Sequence, residues 1–169
     1  LDDFLEKNIS IEKLNKKIFK KKSIKDISSK FLIVREQGVG DEILYGSMYG
    51  ELLEQIKNVN IECDKRLIKL FRRSFPRHKA KFLELGKISN DNEKLKKVDY
   101  VLYAGSLGRF YRNDINNFSG KEYLKIDDKK FKEIKTQLLK HKSKYKIGIS
   151  WKSFNNKYSS DKSLNLSDF

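Results

Sequence analysis

Phe31-Leu32-Ile33-Val34-Arg35-Glu36-Gln37-Gly38-Val39-Gly40-Asp41-Glu42-Ile43-Leu44 is the stretch that decides the fold. Its first four residues are apolar in unbroken succession. That suits a strand buried on both faces, the pattern of a parallel sheet. Arg35 to Glu42 reads as a glycine-bearing turn. A helical pattern follows, with Ile43, Met48, Leu52, Leu53 and Ile56 on one apolar face to about Lys57. Val59-Asn60-Ile61-Glu62-Cys63 alternates and reads as a second strand. A helix is expected from Asp64 to about Ser74, with Asp64 as its N-cap and Pro76, the only proline, ending it. Strand, glycine turn, helix, strand, helix is the βαβ order of a doubly wound α/β domain.

Working outward, Lys81–Leu85 is a third strand candidate, and residues 86–97 read as loop or short helix. Asp99–Tyr103 is a fourth strand, running into a turn and short helix over Ala104–Tyr111. Residues 112–128 look irregular. The spacing of Phe131, Ile134, Leu138 and Leu139 predicts a helix from Lys129 to about His141. Lys146–Trp151 reads as a last strand, and the polar loop of residues 152–162 leads to a helix expected at Ser167-Asp168-Phe169. Residues 1–29 read as helical and solvated, with Leu5, Ile9, Leu14 and Ile18 facing one way and lysines facing out. They are expected to be the tail of a preceding helical region plus a linker. The chain opens on Leu1 with no Met and no signal pattern, as a piece of something longer would.

Lys+Arg number 38 and Asp+Glu 23, a difference of +15. Lys outnumbers Arg 31 to 7 and Ile outnumbers Ala 16 to 2, a bias toward AT-rich codons that accounts for much of the charge. A basic surface attracts nucleic acid or anionic membrane whatever its origin. The excess is spread along the chain, so no specific nucleic-acid role is expected. No apolar run approaches the length of a transmembrane helix. Cys63 stands alone, which excludes an internal disulfide and a cysteine zinc site and makes the cytoplasm the default setting. His78 and His141 match no metal-ligand spacing.

Three features could carry chemistry. The first is the Gln37-Gly38-Val39-Gly40-Asp41 turn, where Gly38 and Gly40 allow a tight backbone close to a ligand at a helix N-terminus. Asp41 either caps that helix or acts as general base on an acceptor hydroxyl at the carboxyl edge of the sheet, with Glu36 and Glu42 as neighbouring alternatives. The second is Ser150-Trp151-Lys152-Ser153 with Asp161-Lys162-Ser163, which is either a solvated loop or a set of lysine and hydroxyl donors for a diphosphate. The third is the run Lys65, Arg66, Lys69, Arg72, Arg73, Arg77 and Lys79, read as a solvated helix face or a nucleic-acid surface with thin aromatic support.

Taken in order, these pieces resemble a known family. The Glu36-Gln37-Gly38-Val39-Gly40-Asp41 opening is similar to that of a glycosyltransferase-like domain that follows tetratricopeptide repeats in bacteria and is related to the lipopolysaccharide heptosyltransferases. Glu62-Cys63 with Arg66-Leu67 and Leu70–Pro76 resembles its second strand and helix. Ser106-Leu107, Tyr123-Leu124, Ile147–Ser153 and Asp161–Leu164 resemble its later signposts. Departures are Gly108 where the family has proline, Ser153 where it has glycine, and Lys162 where it has arginine.

The resemblance implies a GT-B fold of two Rossmann-like domains. Residues 1–29 would be the helical repeat tail and linker, 30–145 the N-terminal acceptor domain, and 146–169 the entry to the nucleotide-sugar-binding domain. It implies inverting, metal-independent transfer from a nucleotide sugar, with no cofactor. Asp41 would be catalytic, Gln37, Gly38 and Gly40 would form the acceptor turn, and Ser150, Lys152, Lys162 and Ser163 would hold the donor diphosphate. The ribose and base contacts would lie beyond Phe169. The acceptor would be a glycan, a lipid-linked glycan or a protein, with protein partners through upstream repeats. The setting would be cytoplasmic, or peripheral at the inner membrane. An inactive transferase-like scaffold attached to the repeats is the alternative, with a basic nucleic-acid-binding module after it.

Overall fold

A computed structural model describes residues 11–21, 23–24, 28–140, 145–152, 163–165 and 167. The apolar run Phe31–Val34 forms β1, with all four residues buried. Val59–Cys63 forms β2, Phe82–Glu84 β3 and Tyr100–Tyr103 β4. The four strands make one parallel sheet in the order β3-β2-β1-β4. Successive side chains of a strand point to opposite faces, and both faces are covered. The chain is therefore mixed α/β, with an arrangement compatible with a Rossmann-like fold.

Phe31, Ile33, Ile61, Cys63, Phe82 and Leu102 belong to one core cluster. It is packed by α2 (Val39–Gly46), α3 (Tyr49–Gln55), α4 (Ile68–Ser74) and α6 (Gly108–Tyr111). Leu32, Val34 and Val101 face the second cluster, under α1 (Ile11–Asn15) and α5 (Asn92–Lys96). Full burial of each such side chain contributes about 1.5–3 kcal/mol. An aromatic group of Tyr49, Phe71, Phe75 and Phe82 fills the space between α3, α4 and β3, with ring centroids 5.4–6.4 Å apart.

Several elements differ from the sequence expectation. The helix expected to about Lys57 is two helices, α2 and α3, separated at Ser47-Met48. Gly46 is the last residue of α2, and a Cβ there would meet Phe71 and the Tyr123 hydroxyl at 2.9 Å. Ser47 Oγ donates to Leu44 O at 2.7 Å and secures the break. Helix α4 begins at Ile68 rather than at Asp64; Asp64 Oδ1 does accept from the Arg66 amide at 2.9 Å, and the Arg35 and Arg66 side chains share the same carboxylate. Residues 11–24 are not a solvated linker. Leu14, Phe19 and Ile24 are buried in the two cores. Ile18 bridges Val101, and the Val101 amide donates to Lys17 O at 2.8 Å beside β4.

The chain divides into two compact units, residues 1–127 and 128–169. In the second, α7 (Asp128–Lys140) forms as expected, with Phe131, Ile134, Leu138 and Leu139 exposed. Residues 145–152 form no strand, and Ile147 and Ile149 are exposed. A strand needs a neighbour for its amides and carbonyls, and no described residue pairs with this segment as a strand. The helix expected at Ser167–Phe169 lies largely outside the described residues.

Candidate functional site

The strand order has one reversal. From β1 the chain moves outward through β2 and β3, then returns to the other side of β1 at β4. The carboxyl ends of β1 and β4 flank this switch point, where ligands bind in open parallel sheets. Arg35, Glu36 and Gln37 leave β1 there, and Ala104, Gly105 and Ser106 leave β4. Glu36 joins the two loops, since its Oε1 accepts a hydrogen bond from the Gly105 amide at 2.9 Å. Gly105 is needed for the approach. A Cβ there would collide with that same Glu36 oxygen and lie 3.0 Å from the Tyr45 ring.

The turn after β1 is built differently from its sequence reading. Neither Gly38 nor Gly40 takes a left-handed backbone; Gln37 does, at φ 61°. An L residue there carries a cost of about 1–2 kcal/mol. Contacts on both sides hold it. Arg35 Nη2 donates to the Gln37 carbonyl at 2.9 Å, and the Tyr45 hydroxyl donates to Gln37 Oε1 at 3.1 Å. Gly38 is the N-cap of α2, and Gly40 has open space where a side chain would stand.

Asp41 sits at the third position of α2, half-buried, and its Oδ2 accepts from the Gly38 amide at 2.9 Å. The helix-capping reading of Asp41 is therefore realised. Glu36 lies close enough to feel its charge. Burial pushes the Glu36 carboxyl above its ordinary value and the Asp41 charge adds to this, while the Gly105 hydrogen bond pulls the other way. Tyr45 and Tyr103 line the same place, and their phenols are raised by burial first and by the Glu36 charge second.

Glu42, the other alternative base, is fully buried and serves the fold. Arg35 Nε lies 2.7 Å from Glu42 Oε1, Arg35 Nη1 donates to Asp64 Oδ2 at 2.9 Å, and the Asp64 amide donates to Glu42 Oε2 at 2.9 Å. This triad ties β1, α2 and the end of β2 beneath the turn. Burial raises the Glu42 carboxyl. The Arg66 hydrogen bonds hold Asp64 well below the usual carboxylate range, with Arg35 adding to them. Cys63 is buried and its thiol is pushed up to about 12, chiefly by desolvation, which leaves it unsuited to nucleophilic work.

The expected donor residues lie in the second unit. Ser150 and Lys152 are exposed, Ser163 is half-buried, and Lys162 falls outside the described residues. The Leu164 amide donates to the Trp151 carbonyl at 2.9 Å, which draws the Lys152 and Ser163 segments together. The three arginines of the basic run that lie on or next to α4 are occupied in the fold. Arg66 pairs with Asp64, Arg72 Nη2 donates to the Phe82 carbonyl at 2.8 Å, and Arg73 Nε donates to the Lys125 carbonyl at 2.7 Å. Among the described residues no three His, Cys, Asp or Glu side chains converge as a metal site, and no helix is long and apolar enough to cross a membrane.

Sequence reasoning placed Asp41 first and Glu36 beside it. The bridging role of Glu36, and the Tyr45 and Gly105 that surround it, were not visible. The available signal is a carboxylate two residues after a fully apolar strand, matched by a glycine two residues after another. No family model, curated protein or solved structure matches the chain.

Proposed function

We infer that the first unit is the acceptor-holding half of a GT-B sugar transferase, with inverting transfer from a nucleotide sugar to an acceptor hydroxyl. The observation that carries this reading is the carboxylate pair at the switch point, with Glu36 bridging the loops after β1 and β4 and Asp41 at the adjoining helix start. The ordered motif series from Glu36 to Ser163 supports it. In this mechanism Asp41 removes the proton from the acceptor hydroxyl, whose oxygen attacks the anomeric carbon. The bond to the nucleoside diphosphate breaks, and Ser150, Lys152, Lys162 and Ser163 neutralise the departing group. Glu36 holds the two loops at a fixed separation and keeps a second carboxyl facing the same crevice.

Asp41→Asn in the full-length protein is the test. Asparagine retains an oxygen for the Gly38 amide, so the cap survives while the charge and basicity go. Loss of transfer from nucleotide sugars with an unchanged melting temperature is expected, and unchanged turnover removes Asp41 from the mechanism. A second reading, an inactive transferase-like scaffold, draws on the engagement of the Asp41 carboxylate by its own helix. Absence of both nucleotide-sugar binding and transfer in the unsubstituted full-length protein would favour it.

A further inference from the structure

The open β3 edge carries a second cationic place, away from the switch point. Lys65 and Lys69 on the α4 arm, Lys87 in the turn after β3, and Lys94 on α5 line a groove of about 620 Å³, with Leu83 and Ile88 as apolar lining. Arg72 and Glu84 complete its charges, so five cations face one carboxylate. Arg72 is committed to the Phe82 carbonyl, and Lys94 pairs with Asp91 at 2.8 Å. The ammonium groups of Lys65, Lys69 and Lys87 have no ion pair or hydrogen-bond acceptor among the described residues.

This is not simply the lysine content of the chain. Another groove, on the α1–α5 side, is lined by Lys13, Lys16, Lys17 and Lys96. There Lys16 pairs with Glu12 at 2.8 Å, Lys96 with Glu93 at 2.7 Å, Lys13 donates to Asn92 at 2.7 Å, and Lys17 to the Val98 carbonyl. The β3 groove is also preorganised. The turn bearing Lys87 is fixed by the buried Glu62 carboxylate, which accepts from the Ile88 and Ser89 amides and the Ser89 hydroxyl. Three ammonium groups without a partner among the described residues thus line one groove, and an anion seated there would supply the acceptor they lack.

The geometry points to a binding site for a compact, multiply charged phosphate, such as the diphosphate or triphosphate group of a small molecule. Lysines supply point charges with several donors each, as phosphate oxygens require. The volume lies in the range of small-molecule sites. No aromatic side chain lines the groove, so it lacks the stacking platform of a single-stranded nucleic-acid site. This site is independent of the transferase reading.

Inorganic tripolyphosphate is the probe, titrated against the full chain at constant ionic strength by calorimetry and thermal shift. Lys69→Gln/Lys87→Gln is compared with Lys13→Gln/Lys16→Gln, which removes the same charge from the other groove. The first pair is expected to weaken tripolyphosphate binding by about tenfold or more, as loss of two charge-assisted contacts should. The second pair should change the affinity less than about twofold, as expected of diffuse, screened charge. Equal weakening in both pairs would overturn the site in favour of diffuse charge. Tighter binding to duplex DNA or to anionic vesicles than to tripolyphosphate, lost with Lys69 and Lys87, would overturn the choice of ligand.

Discussion

Arg35→Met is the perturbation that best tests how the candidate site is supported. The Arg35 side chain is 11% exposed and reaches three groups, namely Glu42, Asp64 and the Gln37 carbonyl. Methionine fills the apolar part of its volume and supplies no charge. Asp64 keeps its Arg66 bonds, so the loss falls on Glu42, which is 0% exposed and retains the Asp64 amide. Breaking a buried pair and leaving one charge costs about 3–5 kcal/mol. That is a large share of a total stability of about 5–15 kcal/mol.

With a urea slope of about 2 kcal/mol/M, the midpoint should fall by about 2 M in a circular-dichroism titration at pH 7. The pH dependence has a definite sign. The Glu42 carboxyl titrates above its ordinary value of 4.5 in the folded state. Its stabilising contribution is complete below that value and is lost as pH rises through the folded one. Without Arg35 the folded value rises further, so the deficit should shrink as pH falls from 7 toward 5. Adding Glu42→Gln should recover most of the loss at pH 7. A deficit under about 1 kcal/mol, against the buried-pair cost, or a double variant no more stable than the single one, would refute the reasoning.

Glu62→Ala leaves the Ile88 and Ser89 amides without their acceptor. It should cost about 3 kcal/mol in chemical denaturation and weaken tripolyphosphate binding by loosening the Lys87 turn. Gly105→Ala drives a methyl group against Glu36 and Tyr45. Overpacking of about 1–3 kcal/mol is expected in thermal melts, and transfer by the full-length protein should fall more than its stability predicts. Tyr49 has a fully buried hydroxyl with no hydrogen-bond partner among the described residues. Tyr49→Phe should therefore raise stability by about 1 kcal/mol, and a loss of that size would mean the hydroxyl has a partner.

The parts of the fold readable from sequence were those governed by local pattern. Phe31–Val34 announces a doubly covered strand because nothing polar interrupts it, and Pro76 stops a helix through its own ring. The misread parts were decided by distant residues. Asp64 looks like the start of a helix and its Oδ1 does accept from the Arg66 amide, but the Arg35 and Arg66 side chains share the carboxylate and the helix starts only at Ile68. The α2–α3 break follows Gly46, where the Phe71 ring and the Tyr123 hydroxyl leave no room for a side chain. The left-handed residue is Gln37 rather than either of the glycines that follow it, because Arg35 and Tyr45 hold it there. At the site, the turn and Asp41 were visible as a motif. The bridge from Glu36 to Gly105 spans 69 positions and could only appear once β1 and β4 were adjacent.

The Lys17–Phe19 strip beside β4 has a bearing on how the sheet is kept from growing. Its backbone bonds with Val101 occupy a flank that would otherwise invite another chain, while β3, the opposite flank, is only three residues long and ringed by lysines. Trimming the protein to begin at β1, as a linker reading of the first 29 residues would encourage, strips that plug. It also removes Phe19 from between Phe31 and Tyr100, whose rings it meets at 5.2 and 5.0 Å. The trimmed domain would carry a naked strand above an apolar hollow, and self-association through that strand would then be mistaken for a native oligomer.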